Sequence, residues 1–156
     1  MKAISGKVDE YLAMTLYYTE EVKLNIDMRK YLDEIISELP HKLSDKVKCP
    51  WTENIFKVNE EENKLGYEKR TIFHSFVMKS MLLTKQGCAD VQPAISFLFS
   101  IVKEPTTQDW MKLLRVLIDI KCIRYDVLTL EADDEQILYW YVDAAFVVHT
   151  NLKIHT

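Results

Sequence analysis

The stretch YLAMTLYYTEEVKLNIDMRKYLDEIISEL, residues 11–39, changes its apolar period halfway, and that change decides the fold class. Leu12, Met14, Leu16 and Tyr18 alternate with other residues, and after Glu20 and Glu21 the run answers with Val22, Leu24 and Ile26. Period two on both sides of a short polar break predicts a β-hairpin with one apolar face. From Asp27, which offers an N-cap, the spacing lengthens. Met28, Tyr31, Leu32, Ile35, Ile36 and Leu39 fall at i, i+3, i+4, i+7, i+8 and i+11, the stripe of a helix packed on one side and stopped by Pro40. A hairpin leading into a helix predicts an α+β chain.

Downstream, HKLSDKVKCPWTENIFKVNEEENKLG, residues 41–66, loses this periodicity and reads as a long connecting loop. Trp51, Ile55 and Phe56 are expected to pin it to the body, because large apolar groups are costly in water. Helical spacing resumes at Tyr67, with Phe73, Phe76, Val77 and Met81 on one face up to Gln86 and Gly87. A second helix follows, with Asp90 as its cap, Pro93 in its tolerant first turn, and a stripe of Val91, Ala94, Ile95, Leu98, Phe99 and Val102. Thr106 and Asp109 make the [ST]-x-x-[DE] capping signature of a third helix. Trp110, Leu113, Leu114, Leu117 and Ile118 supply its buried side, and Lys112, Arg115 and Asp119 are expected largely outside it. Finally VLTLEAD and ILYWYVD, separated by Asp134, Glu135 and Gln136, predict a C-terminal antiparallel hairpin. The expected organisation is a hairpin and helix over 1–40, a connector over 41–66, three helices over 67–125 and a strand pair over 126–156.

Composition narrows the function classes. The chain has 156 residues, 48% hydrophobic and 28% charged, enough for one domain with a core. A net charge of −4 supplies no global field for an anionic partner, so a nucleic-acid contact would need a local basic face. The segment MKAISGKVDEY has no signal-peptide core, and no apolar run approaches the roughly 18–20 residues that span a bilayer. Cys49, Cys88 and Cys122 are odd in number and widely spaced, which fits a reducing setting, cytoplasm or nucleus. Glycine is scarce at 3 of 156 residues, against a usual share of about 7%.

Asp143 stands in the apolar run YWYVDAAFVVH, residues 139–149. A buried, unpaired carboxylate is expensive, so this acid sits at a strand end or surface, is paired, or holds a cation. The functional reading is one ligand of a divalent metal such as Mg2+, which takes one or two carboxylates plus water and phosphate. His149 and His155 lack a cysteine or acidic partner at zinc-ligand spacing, and His74, beside Phe73, reads as a partly buried core residue. The cysteines have no adjacent histidine or glycine-rich elbow to make a nucleophile. P-loop, dinucleotide-binding and H-E-x-x-H signatures are all absent. The acidic run at residues 60–64 reads as a solvated loop edge. Lys112, Arg115 and Lys121 are candidate phosphate contacts along one helix, or simply its polar face.

Three longer stretches carry a resemblance. FHSFVMKSMLLTKQGCADVQPAISFLFSIVKEPTTQDWMKLLRVL, residues 73–117, followed by LTLEADDEQILYWYVDAAFVVHTNLKIHT, residues 128–156, closely resembles the polyprotein of copia-type retrotransposons where the reverse transcriptase thumb passes into ribonuclease H. YLAMTLYYTEEVKLNIDMRKYLDEII, residues 11–36, is similar to the strand pair and helix that leave the polymerase palm. The resemblance covers nearly the whole chain and is loosest over 41–66. It implies a thumb-like helical middle and places Asp143, in Val142-Asp143-Ala144, at the first acidic ligand of the ribonuclease H metals. The family's other ribonuclease acids lie beyond His155-Thr156 and its Tyr-x-Asp-Asp box upstream of Tyr11, so neither catalytic centre is expected to be complete. Mg2+ belongs to the parent enzymes and no cofactor is expected for this chain. The implied partners are an RNA–DNA hybrid and the remaining parts of the polyprotein, with no membrane; the rival reading is a helical module that binds protein or itself. Where relatives read Tyr-Leu-Gly-Met, this chain has Ala13. Where they read Arg-Pro-Asp-Ile, it has Cys88, Ala89, Asp90 and Val91, and where Gly-Thr closes the long helix it has Cys122 and Ile123. These losses suggest a truncated, partly decayed copy.

Overall fold

Between Tyr11 and Met14 the backbone reverses in two residues, Leu12 and Ala13, both with positive φ (46° and 66°). Two central residues of positive φ are the mark of the type I′ hairpin turn, whose twist matches that of the flanking strands. The structure, a computed structural model, describes residues 6–19, 23–39, 55–58, 62–122 and 127–131. The turn joins β1 (Val8–Tyr11) to β2 (Met14–Tyr18), and β2 pairs in turn with β3 (Leu24–Asp27). The expected hairpin is therefore the β2–β3 pair with a further strand on its outer side. Leu12, read as a strand residue, lies at the turn tip and is 56% exposed.

Helix α1 (Arg29–Ser37) follows at once. Met28, Leu32, Ile35 and Leu39 are buried, with Tyr31 and Ile36 packed against them, so the stripe holds as expected. Asp27 ends β3 rather than standing at the N-cap, which Met28 occupies. Its Oδ1 still accepts the Arg29 backbone N–H at 2.8 Å. Pro40, Trp51 and Cys49 lie outside the described residues. Of the connector, Ile55 is buried, and Phe56 sets its ring edge against Phe97, centroids 5.7 Å apart.

The helical middle consists of α2 (Tyr67–Gln86), a 3-10 turn at Ala89–Val91, α3 (Gln92–Ser100) and α4 (Thr107–Cys122). Phe73, Phe76, Val77 and Leu83 of α2 meet Ala94, Ile95, Phe97 and Leu98 of α3 and Leu113, Val116, Leu117 and Ile120 of α4, forming one core with α1. Burying such a side chain is worth about 1.5–3 kcal/mol each. Three expectations change here. Phe97 is buried and Phe99 is 44% exposed, because α3 packs against both α2 and α4 and so buries more than one stripe. Asp90 makes no side-chain cap; the chain enters α3 through the 3-10 turn, with Pro93 in the first turn. On α4 the buried side is centred on Leu113, Val116, Leu117 and Ile120, and it includes Lys112, only 7% exposed, where a surface position was expected.

After α4 the chain returns as β4 (Leu128–Leu130), antiparallel to β3, so that the described residues form a four-stranded sheet of order β1-β2-β3-β4. The expected partner of this strand, ILYWYVD, lies outside the described residues. The fold is α+β, with an antiparallel sheet and four α-helices among the described residues.

Candidate functional site

The start of α4 is built as the sequence signature predicts. Thr106 N–H and Oγ1 both donate to Asp109 Oδ2, at 2.9 and 2.8 Å, and the Asp109 N–H donates back to Thr106 Oγ1 at 3.3 Å. Two backbone N–H groups that a helix end would leave unsatisfied are thus engaged reciprocally, with the threonine hydroxyl as a further donor. The other oxygen, Asp109 Oδ1, accepts from Lys112 Nζ at 2.9 Å. That ammonium also donates to the Lys57 carbonyl at 2.6 Å and lies 5.3 Å from the Phe97 ring centroid. Lys112, a candidate phosphate contact from the sequence, therefore ties the connector to α4 from inside. Its helix neighbour Arg115 is half-buried, as is Lys121.

A different face gathers exposed cations. Tyr67, Arg70, Thr71 and His74 occupy i, i+3, i+4 and i+7 of α2, away from Phe73, Phe76 and Val77, and with Val102 and Lys103 they line a concavity of about 240 Å3. The Arg70 guanidinium lies 5.6 Å from the centroid of the Tyr67 ring, which is 77% exposed. His74 is exposed as well, which corrects its reading as a partly buried core residue. Both walls are fixed. Leu65 N–H donates to the Pro105 carbonyl at 2.9 Å and Thr107 N–H to that of Asn63 at 3.0 Å, holding the entrance of α2 beside that of α4. At the rim Lys64 Nζ pairs with Glu104 at 2.6 Å, and this ammonium holds the Glu104 carboxyl below its ordinary range. Sequence reasoning passed over this cluster because its members lie on an exposed stripe and on a loop some thirty residues later; the stripe itself, at helical spacing, was the available signal.

A second concavity, about 310 Å3, lies between the β1–β2 turn and α1. There Lys30 Nζ meets Glu10 Oε1 at 2.8 Å, lowering the glutamate pKa and raising that of the lysine. Beside it, hydrogen bonds from Arg29 hold the Asp27 carboxyl below the usual carboxylate range.

Asp143, His149 and His155 lie outside the described residues. Among the described residues no group of three or more His, Cys, Asp or Glu side chains is placed to share a metal ion, and no helix is long and apolar enough to cross a membrane. Cys88 is half-buried and Cys122 exposed, and neither is in a disulfide. No protein-family model, curated protein or solved structure matches the chain.

Proposed function

We propose that the chain is a segment of a copia-type retrotransposon polyprotein, running from strands that leave the reverse transcriptase palm, through a thumb-like helical part, to the opening of ribonuclease H. Inside the cell it binds an RNA–DNA hybrid and neither extends nor cleaves it. The observation that carries this reading is the backbone at Ala13. Its φ of 66° is one that glycine adopts without penalty and that a β-carbon disfavours. It falls where the family reads Tyr-Leu-Gly-Met, and an alanine held in a glycine's conformation at the family's glycine position is what descent from that sequence would leave. The order of β2, β3, α1, connector and three helices is the order that the resemblance implies.

Binding rather than catalysis follows from the residues. The chain contains no Tyr-x-Asp-Asp box, and Asp143 alone matches a ribonuclease H ligand, whereas two-metal hydrolysis needs several carboxylates around its Mg2+ ions. A thumb grips duplex mainly through phosphates and shape, so affinity depends on released counterions. Fluorescence anisotropy of a labelled RNA–DNA hybrid, titrated with the chain at rising salt, tests this. Weak binding whose log K falls linearly with log salt is expected; no binding at low salt, or salt-independent binding, overturns it.

One observation favours a protein-binding module instead. Tyr18, Leu24 and Leu130 form a cross-strand row on the core-facing side of the sheet, yet Tyr18 and Leu130 are exposed, as is Leu128 in the next row. An apolar row that the described residues leave exposed promotes association. In light scattering after size exclusion, the polyprotein reading expects a monomer; a dimer lost on Leu130→Lys assigns that row to an interface.

A further inference from the structure

The concavity between α2 and the α3–α4 connection has the parts that an unpaired nucleotide requires. Tyr67 offers an aromatic ring that is 77% exposed, and base–aromatic stacking needs a base whose face is open, as in a single strand and not in a paired duplex. Arg70 stands beside that ring and Lys103 lines the same concavity; among the described residues neither is in a salt bridge, although the Arg70 charge also reaches the Glu104 carboxylate. A guanidinium both stacks on an aromatic face and donates to phosphate oxygens, which suits the position of Arg70 against the ring. His74, one turn further along α2, adds a ring nitrogen at the same wall, and Val102 supplies an apolar edge. Thr71 is not a free donor, since its hydroxyl is given to the Tyr67 carbonyl at 3.1 Å. Glu104, the carboxylate adjacent to Lys103 in the chain, is engaged by Lys64. At about 240 Å3 the space falls short of the roughly 300–1,000 Å3 typical of sites that enclose a small molecule, so it suits a group that continues into solvent at both ends.

We propose that this concavity is a single-strand nucleotide subsite, in which the Tyr67 ring stacks on one unpaired base while Arg70 and Lys103 hold the adjoining backbone phosphates. The local basic face that a chain of net charge −4 needs for nucleic acid is then this one rather than Lys112. The proposal rests on the nucleic-acid reading above for its ligand class and adds the place and strandedness of the contact.

The test is anisotropy of a short labelled single-stranded DNA over a salt series, with the blunt RNA–DNA hybrid run in parallel. Circular dichroism of each variant checks that it folds. Tyr67→Ala is expected to weaken single-strand binding about tenfold with little change in salt slope. Arg70→Ala with Lys103→Ala is expected to lower that slope by about 1.4, the share of two phosphates on a single strand. The remote pair Lys7→Ala with Lys85→Ala, which removes the same charge, should change neither. If the folded Tyr67 and Arg70/Lys103 variants behave like the remote pair, the subsite is wrong. Hybrid binding without single-strand binding also overturns it and leaves the broader reading standing; loss of both removes both. Displacement of the strand by adenosine monophosphate at micromolar concentration would make the site one for free nucleotides, and would overturn the strand assignment.

Discussion

Leu12 and Ala13 hold positive φ with no glycine or asparagine to ease it. For a residue with a β-carbon that conformation costs roughly 1–2 kcal/mol, part of which glycine gives back through its freer unfolded state. Ala13→Gly is therefore expected to stabilise the chain by about 0.5–1 kcal/mol in urea denaturation. Destabilisation would mean that this backbone is not strained. The same two residues explain why β1 was not legible: Leu-Ala carries no turn signal, and Val8-Asp9-Glu10-Tyr11 shows no apolar alternation, so period two marked only β2 and β3. Asp119 is a different kind of strained residue. Desolvation, helped by the nearby charge of Asp90, raises its pKa above the ordinary aspartate value. A folded-state pKa above the unfolded one means that the fold favours the neutral carboxyl, a contribution present at low pH and lost as pH rises through the raised value. Asp119→Asn should then raise the melting temperature near about pH 7 and change it little near about pH 3. An equal gain at both pH values would show that charge is not the cause.

At the scale of elements, the start of α4 was readable and its inner face was not. Thr106 and Asp109 announce themselves by spacing alone, because both partners of a capping box lie within one turn. Lys112 does not, because one of its acceptors, the Lys57 carbonyl, arrives from a connector fifty-five residues earlier in the chain. A lysine among polar neighbours reads as surface until tertiary contacts supply acceptors for a buried ammonium. Phe97 and Phe99 show the same limit, since which of two phenylalanines is buried depends on how many neighbours α3 has. Thr106→Ala is expected to cost about 1 kcal/mol through the lost cap. Lys112→Met should cost more, about 3 kcal/mol, because it leaves Asp109 charged and buried without its cation. Adding Asp109→Asn to Lys112→Met should recover part of that loss, and strictly additive costs in the cycle would show that the pair is not coupled.

For the whole molecule, the sheet joins the two ends of the described chain. β4, which the sequence assigns to a C-terminal hairpin, pairs with β3 near the N-terminus, and Thr129 Oγ1 meets Asn25 Oδ1 at 2.8 Å across that seam. Such a pairing spans about a hundred residues, and no local pattern encodes it. The α+β class and the order of the helices were legible because periodicity is local, whereas the cationic concavity is a product of tertiary placement, with α2 and the α3–α4 connection brought together by the ladder between residues 63–65 and 105–107. The central claim, descent from a copia-type polyprotein, extends past the residues themselves to their surroundings in the genome. Sequencing the DNA on both sides of this reading frame tests it most directly. The account predicts, intact or decayed, a Tyr-x-Asp-Asp polymerase segment upstream and the remaining ribonuclease H acids downstream; flanks with neither, around a self-contained gene, would contradict it.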